Sequence, residues 1–222
     1  MIEHVYRRTA DAPGVDAVVV ATDDARIAAA VEAFGGVVRM THGGHPTGTD
    51  RIAEVARDLA CEIVVNVQGD LPLLDGGMIT EVVEPLVADV AIPMATVCSR
   101  IEDAADYMNP NVVKVVRDHR GDALYFSRAP IPYLRNRGSG RWLMFRHVGL
   151  YAYRRDFLLR FAAMPPSPFE HAESLEQLRA LEYGYRIRVV ETQYESIEVD
   201  TPEDLERARR MAATGGTAEV VR

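Results

Sequence analysis

Two aspartates stand where this chain could hold a divalent cation. Asp70 closes the stretch EIVVNVQGD (62–70), in which Ile63, Val64, Val65 and Val67 are β-branched and apolar before the chain turns polar at Gln68 and Gly69. Such a run reads as a strand buried on both faces, with an acid delivered at its end. Asp200 follows the strand-like ESIEV (195–199) and precedes the helix start TPEDLERAR. A hard cation such as Mg²⁺ takes oxygen ligands, commonly one or two carboxylates plus phosphate oxygens. Two aspartates from distant parts of the chain, each fixed by a rigid strand end, could share one ion. The competing reading is structural: an acid after a strand also caps a loop or a helix. For Asp200, however, Thr201 already supplies the cap and leaves the carboxylate available.

The elements that must position these acids alternate. DAVVVAT (16–22) reads as a strand, DDARIAAAVEAFGG (23–36) as a helix stopped by glycines, VVRM (37–40) as a short strand, and TGTDRIAEVARDLAC (47–61) as an amphipathic helix capped by Thr47. The strand 62–67 and a helix over 76–89, with Asp75 as cap, follow. Strand and helix in this order imply right-handed crossovers and a mostly parallel α/β sheet. Such sheets bind ligands outside the carboxyl ends of their strands, which is where Asp70 falls. Strands are expected at 94–100, 111–118 and 123–128, the last two joined as a hairpin through RDHRGDA. APIPYLRNRGSGRW (129–142) reads as a surface loop. A strand at 146–154, helices near 155–163 and 168–183, a strand at 185–192 and a final helix to 213, with Thr201 as N-cap and Pro202 at the first helical position, complete the pattern.

Composition narrows the function. With 222 residues, 48% of them hydrophobic, the chain suffices for one domain with a substantial core. A net charge of −8 lacks the basic face that a nucleic-acid binder needs, yet allows a small anionic ligand. Lys114 is the only lysine, so a phosphate-binding lysine would have to be Lys114. Cys61 and Cys98 lack metal-ligand spacing and read as two buried thiols in a reducing cytoplasm. No apolar run reaches the ~20 residues of a membrane span, and MIEHVYRR lacks the apolar stretch of a signal peptide. The expectation is a cytoplasmic protein without a membrane partner.

Seven stretches then stand in order: HPTGTDRIAE (45–54), NVQGDLP (66–72), NPNVVKVV (109–116), YFSRAPIPY (125–133), RHVGLYAYR (146–154), ESLEQLRALEYGYRI (173–187) and VDTPEDLERAR (199–209). Together they resemble the 3-deoxy-manno-octulosonate cytidylyltransferases, from Met1 to about Arg210. The resemblance implies transfer of CMP from CTP to the anomeric hydroxyl of the eight-carbon acid sugar 3-deoxy-D-manno-octulosonate (KDO), with release of pyrophosphate, for lipopolysaccharide synthesis. It implies a Rossmann-like nucleotidyltransferase fold over 1–222, with a small antiparallel dimerisation segment at about 94–145, a homodimer, and a requirement for Mg²⁺. The family's metal aspartates match Asp70 and Asp200. Its sugar pocket is matched by Gln68, His147, Tyr151, Glu176 and Gln177, with Arg128 or Arg135 for the sugar carboxylate, since a guanidinium suits a planar carboxylate. Asp50 and Arg51 are candidates near the nucleotide; the alternative makes Asp50 a helix-start charge and Arg51 a solvated one.

The pattern departs from the family in three places. Family members open with a strand and a Gly/Arg/Lys loop around the CTP phosphates, whereas MIEHVYRR resembles the helix after that loop. The expectation is a chain without its central first strand, in which Met1 is an internal methionine of a longer protein and transferase activity is low or absent. Leu71 replaces the usual glutamate after the metal aspartate, and Tyr-Leu-Arg follows APIP where Trp-Asp-Arg is common. Two alternatives to the KDO reaction stay open: a non-catalytic nucleotide-binding or dimerising remnant, and a cytidylyltransferase for another acid sugar. A glycosyltransferase is disfavoured because no Asp-x-Asp motif follows an early strand.

Overall fold

A computed structural model describes residues 1–135, 144–194, 198–199 and 201–213. Its elements run α1 (Ile2–Ala10), β1 (Val20–Thr22), α2 (Ala25–Ala33), β2 (Val38–Met40), α3 (Gly48–Ala56), β3 (Ile63–Asn66), α4 (Gly76–Ala88), β4 (Met94–Arg100), α5 (Ala104–Met108), β5 (Lys114–Arg117), β6 (Ala123–Ser127), β7 (Phe145–Arg154), α6 (Arg155–Ala162), α7 (Pro168–Glu173), α8 (Gln177–Glu182), β8 (Ile187–Glu191) and α9 (Pro202–Ala213). The expected caps are in place. Thr47 accepts from Asp50 N, Asp75 accepts from Gly77 N, and Thr201 accepts from Asp204 N, so each helix start has one of its orphan donors satisfied.

The sheet is mixed. β4 pairs in parallel with β8 and antiparallel with β7, while β3 and β5 each pair antiparallel with β7. Strands β3, β4 and β8 therefore point the same way, and β7 runs back between β3 and β4. The β5–β6 hairpin turns at Gly121, whose φ of +85° suits a residue without a side chain. It extends the same sheet through β5–β7.

Period-two alternation divides the core between the two faces of this sheet. Met94 and Cys98 of β4, with Tyr151 and Tyr153 of β7, pack with Phe157, Phe161 and Leu178. Ala95 and Val97, with Val148, Leu150 and Ala152, pack under Met78, Val82 and Leu86 of α4. The parity survives an irregularity: Thr96 pairs with Tyr151 but Val97 pairs with Val148, so Gly149 and Leu150 have no Cα partner on β4. Leu71 belongs to the second cluster at 1% exposure, which explains an apolar residue directly after Asp70.

β1 and β2 form a separate two-stranded parallel sheet. β1 is shorter than the expected 16–22 because only Val20–Thr22 meet a partner. α3 packs against both β1 and β3, and α1 touches α2 and α4. These helices tie the small sheet to the large one across a cavity lined by apolar residues of β1 and β3.

Three local expectations are corrected. The helix expected over 168–183 is two helices, broken at Ser174, which adopts a left-handed φ of 52°. Cys98 is buried, its thiol pushed up to about 12 by burial, but Cys61 is exposed just beyond α3. Lys114 is unavailable to phosphate: fully buried, it spends its ammonium on the carbonyls of Asn109, Val112 and Arg128 at 2.8, 2.6 and 2.7 Å. Among the described residues no helix is long and apolar enough to cross a membrane.

Candidate active site

A cavity of about 2460 Å³ opens between the small sheet and the end of β3. Small-ligand pockets run from about 300 to 1000 Å³, so this one has room for two substrates. Gln68, Gly69 and Asp70 line it at the turn that ends β3. The Asp70 carbonyl accepts from Val199 N at 2.9 Å, which fastens this turn to the segment ahead of α9. Asp200 itself lies outside the described residues, but Asp204 and Arg207 of α9 and Glu198 reach the same cavity.

Gln68 lies over the irregular stretch of β7. A Cβ on Gly149 would stand 2.8 Å from its amide nitrogen, so the glycine leaves room for this side chain. Gly149 N also donates to Glu198 at 3.2 Å. On the face of β7 toward α3 and α8, His147 and Tyr151 line the cavity wall with ring centroids 5.3 Å apart, and Phe126 meets His147 edge-on at 5.1 Å. Burial holds His147 down at about 3, so its ring is neutral at ordinary pH, and pushes the Tyr151 hydroxyl well up. Both therefore act as uncharged hydrogen-bonding groups.

α8 contributes the opposite wall. Gln177 is 4% exposed, and its amide nitrogen has no hydrogen-bond partner among the described residues, an uncommon state for a buried donor and one that a ligand would relieve. Glu176 accepts from Thr49 at 2.7 Å and contacts the Thr47 hydroxyl at 2.8 Å, while that hydroxyl also lies 2.7 Å from Asp50 Oδ2. One hydroxyl proton serves two carboxylates. That suits a Glu176 carboxyl whose burial raises it above its ordinary range. The α7–α8 unit is anchored beneath by Arg179, which donates to both oxygens of Glu170.

The basic residues separate. Arg128 lines the cavity, its Nε on the Glu173 carbonyl at 2.8 Å and its Nη1 on the Pro110 carbonyl at 3.1 Å, leaving guanidinium donors for a ligand. Arg135 is exposed and outside the cavity lining. Arg51 lines the cavity and bridges Thr41 at 2.6 Å and Asp23 at 3.0 Å. Asp50 does not line it; its carboxylate serves the start of α3. Arg146, Glu198 and Asp204 also line the cavity without having been singled out in the sequence; Asp204 reads there as helix-start charge and carried no signal of its own.

Among the described residues no group of three or more His, Cys, Asp or Glu side chains could hold a metal by itself. At the end of β3 the described residues offer one carboxylate, Asp70, a hard oxygen donor of the kind Mg²⁺ takes together with phosphate oxygens.

Comparison with known proteins identifies the family. A family model described as cytidylyltransferase matches residues 1–191. A 3-deoxy-manno-octulosonate cytidylyltransferase of Geobacter metallireducens is 58% identical over 93% of this chain and 85% of its own length. The enzyme of that name from Solibacter usitatus is 55% identical over 95% of this chain and 83% of its own. A solved structure of CMP:2-keto-3-deoxy-manno-octonic acid synthetase complexed with CTP, 44% identical, superimposes with a TM-score of 0.91 over 97% of this chain and 88% of that one. This chain belongs to the cytidylyltransferase family.

Proposed function

We infer that this chain transfers CMP from CTP to KDO, giving CMP-KDO and pyrophosphate for lipopolysaccharide synthesis. The observation that carries this is similarity over nearly the whole chain to relatives bearing that activity in their name, together with a superimposable structure complexed with CTP. The attacked α-phosphorus lies in a triphosphate with roughly four negative charges near neutral pH, so positioning and charge neutralisation dominate the chemistry.

Each wall of the cavity has a part in that positioning. Arg128 pairs with the sugar carboxylate; its favour over Arg135 rests on its place in the cavity lining. Gln68, His147, Tyr151, Glu176 and Gln177 orient the sugar hydroxyls through hydrogen bonds, and the unpartnered Gln177 amide supports this assignment. Arg51 lies toward the nucleotide, with Asp50 fixing the start of its helix. Asp70 and Asp200 would hold Mg²⁺, which when bound neutralises phosphate charge and acidifies the attacking hydroxyl. The bond from Val199, next in sequence to Asp200, to the Asp70 carbonyl supports that pairing. The fully buried Tyr153 and Phe126 behind the sugar wall keep its aromatic residues from relaxing away from the ligand.

The chain acts as a homodimer through the segment near 94–145, where Met108, Leu124 and Tyr133 stand exposed. A cytoplasmic setting accords with two unpaired cysteines. The test of function is which acid sugar supports pyrophosphate release from CTP and Mg²⁺. KDO alone should do so; turnover with sialic acid instead would overturn the assignment. Absence of turnover with every acid sugar would return the remnant reading, whether or not CTP still binds.

A further inference from the structure

Thr96 sits in β4 at 0% exposure, where the β4–β7 register slips. Leu150 has no Cα partner there on β4 or on β3. The Thr96 hydroxyl fills the gap: its oxygen lies 2.8 Å from the Leu150 carbonyl, 3.3 Å from the Val148 carbonyl and 2.9 Å from His147 Nε2. A carbonyl can only accept, and a hydroxyl has one proton to give. If that proton goes to Leu150, the nearer carbonyl, the third contact is a hydrogen bond only when Nε2 carries a proton and donates to Oγ1. In the other tautomer, Nε2 and the Leu150 carbonyl would compete for one proton, and the hydroxyl could no longer satisfy both contacts.

Burial keeps the ring neutral, so a proton on Nε2 leaves none on Nδ1. Phe126 and Tyr151 pack against the ring and oppose its flipping. No hydrogen bond to Nδ1 comes from the described residues, and His147 lines the cavity.

We propose that Thr96 is a positioning residue that holds His147 as its Nε2–H tautomer, so that Nδ1 presents a bare acceptor to a hydroxyl of the bound sugar. The ligand half of this rests on the sugar-pocket reading given above; the tautomer half rests on the hydrogen-bond arithmetic alone. The device gives the pocket a direction. A neutral acceptor welcomes a hydroxyl donor and repels a carboxylate, which leaves the sugar acid group to Arg128.

The test is a long-range ¹H–¹⁵N spectrum of the uniformly ¹⁵N-labelled full chain, with and without KDO. The wild type should show His147 protonated on Nε2 and bare on Nδ1, and saturating KDO should move the Nδ1 resonance. Thr96→Ser, which keeps the hydroxyl, should behave likewise. Thr96→Val should shift the ring toward the Nδ1–H form and weaken KDO binding about tenfold, the loss of one hydrogen bond. A wild-type His147 protonated on Nδ1, or a Thr96→Val ring with its tautomer unchanged, overturns the proposal. Should Thr96→Val not fold, the wild-type and Thr96→Ser spectra still decide. An Nε2–H ring whose Nδ1 ignores saturating KDO overturns the ligand half and the sugar-pocket reading of His147, while the tautomer half stands.

Discussion

β3 and β4 are both apolar strands beside β7, yet they are finished differently. β4 lies between β7 and β8, and Met94 through Cys98 are all buried. β3 pairs only with β7 among the described residues, and Ile63 through Asn66 are all half-buried, facing the cavity beyond. The same residue types thus make a sealed core in one place and a cavity wall in the other. Burial is concentrated around β4, β7 and the helices beneath them. The open side of β3 carries the turn that delivers Asp70, where backbone rigidity is useful and burial would be a hindrance.

The comparison can be broken at several points. On the sealed side, Arg179→Leu leaves Glu170 buried without its partner and should cost about 3–5 kcal/mol in urea unfolding. Leu150→Ala, at a fully buried site, should cost about 2–5 kcal/mol. On the open side, Val65→Ala should cost about 1 kcal/mol or less, since the side chain is only partly buried. Equal losses for Leu150→Ala and Val65→Ala would mean that the two halves are not distinct. Asp70→Asn should lower kcat about a hundredfold or more while leaving the urea midpoint almost unmoved.

The smallest effect concerns pH. Burial raises the Glu176 carboxyl, so the folded state keeps a proton that the unfolded chain has lost. Stability should therefore fall as pH rises from about 4.3 through the raised folded value, and level off above it. Glu176→Gln should flatten that decline, measured as Tm against pH. An unchanged slope would assign the decline to another group.

Much of this was legible in the sequence, for identifiable reasons. Asp70 follows a run of β-branched residues that announces a strand, though one lining a cavity rather than buried on both faces, and Thr47, Asp75 and Thr201 announce their helices by local chemistry. His147, Tyr151, Glu176 and Gln177 came through motif likeness, because one strand and one helix start place them together. What stayed hidden depends on tertiary context. Lys114 looked like the one available phosphate ligand, but two carbonyls of the 109–112 turn and that of Arg128 capture it. The helix break at Ser174 follows from the left-handed backbone of a non-glycine residue. Thr96 has no local signature, since its importance arises from two unpartnered residues on another strand. The mixed order of the sheet comes from β7, which threads back between strands that the alternating pattern makes neighbours.

The proposed chemistry needs a cation held at the ends of two distant segments, with the sugar against β7 and α8. The most direct measurement is anomalous scattering from Mn²⁺ in crystals grown with CTP and KDO. One peak should lie within coordination distance of carboxylate oxygens from both Asp70 and Asp200, with the sugar against His147, Tyr151 and Gln177. A peak touching neither aspartate, or a sugar bound away from β7, would contradict it.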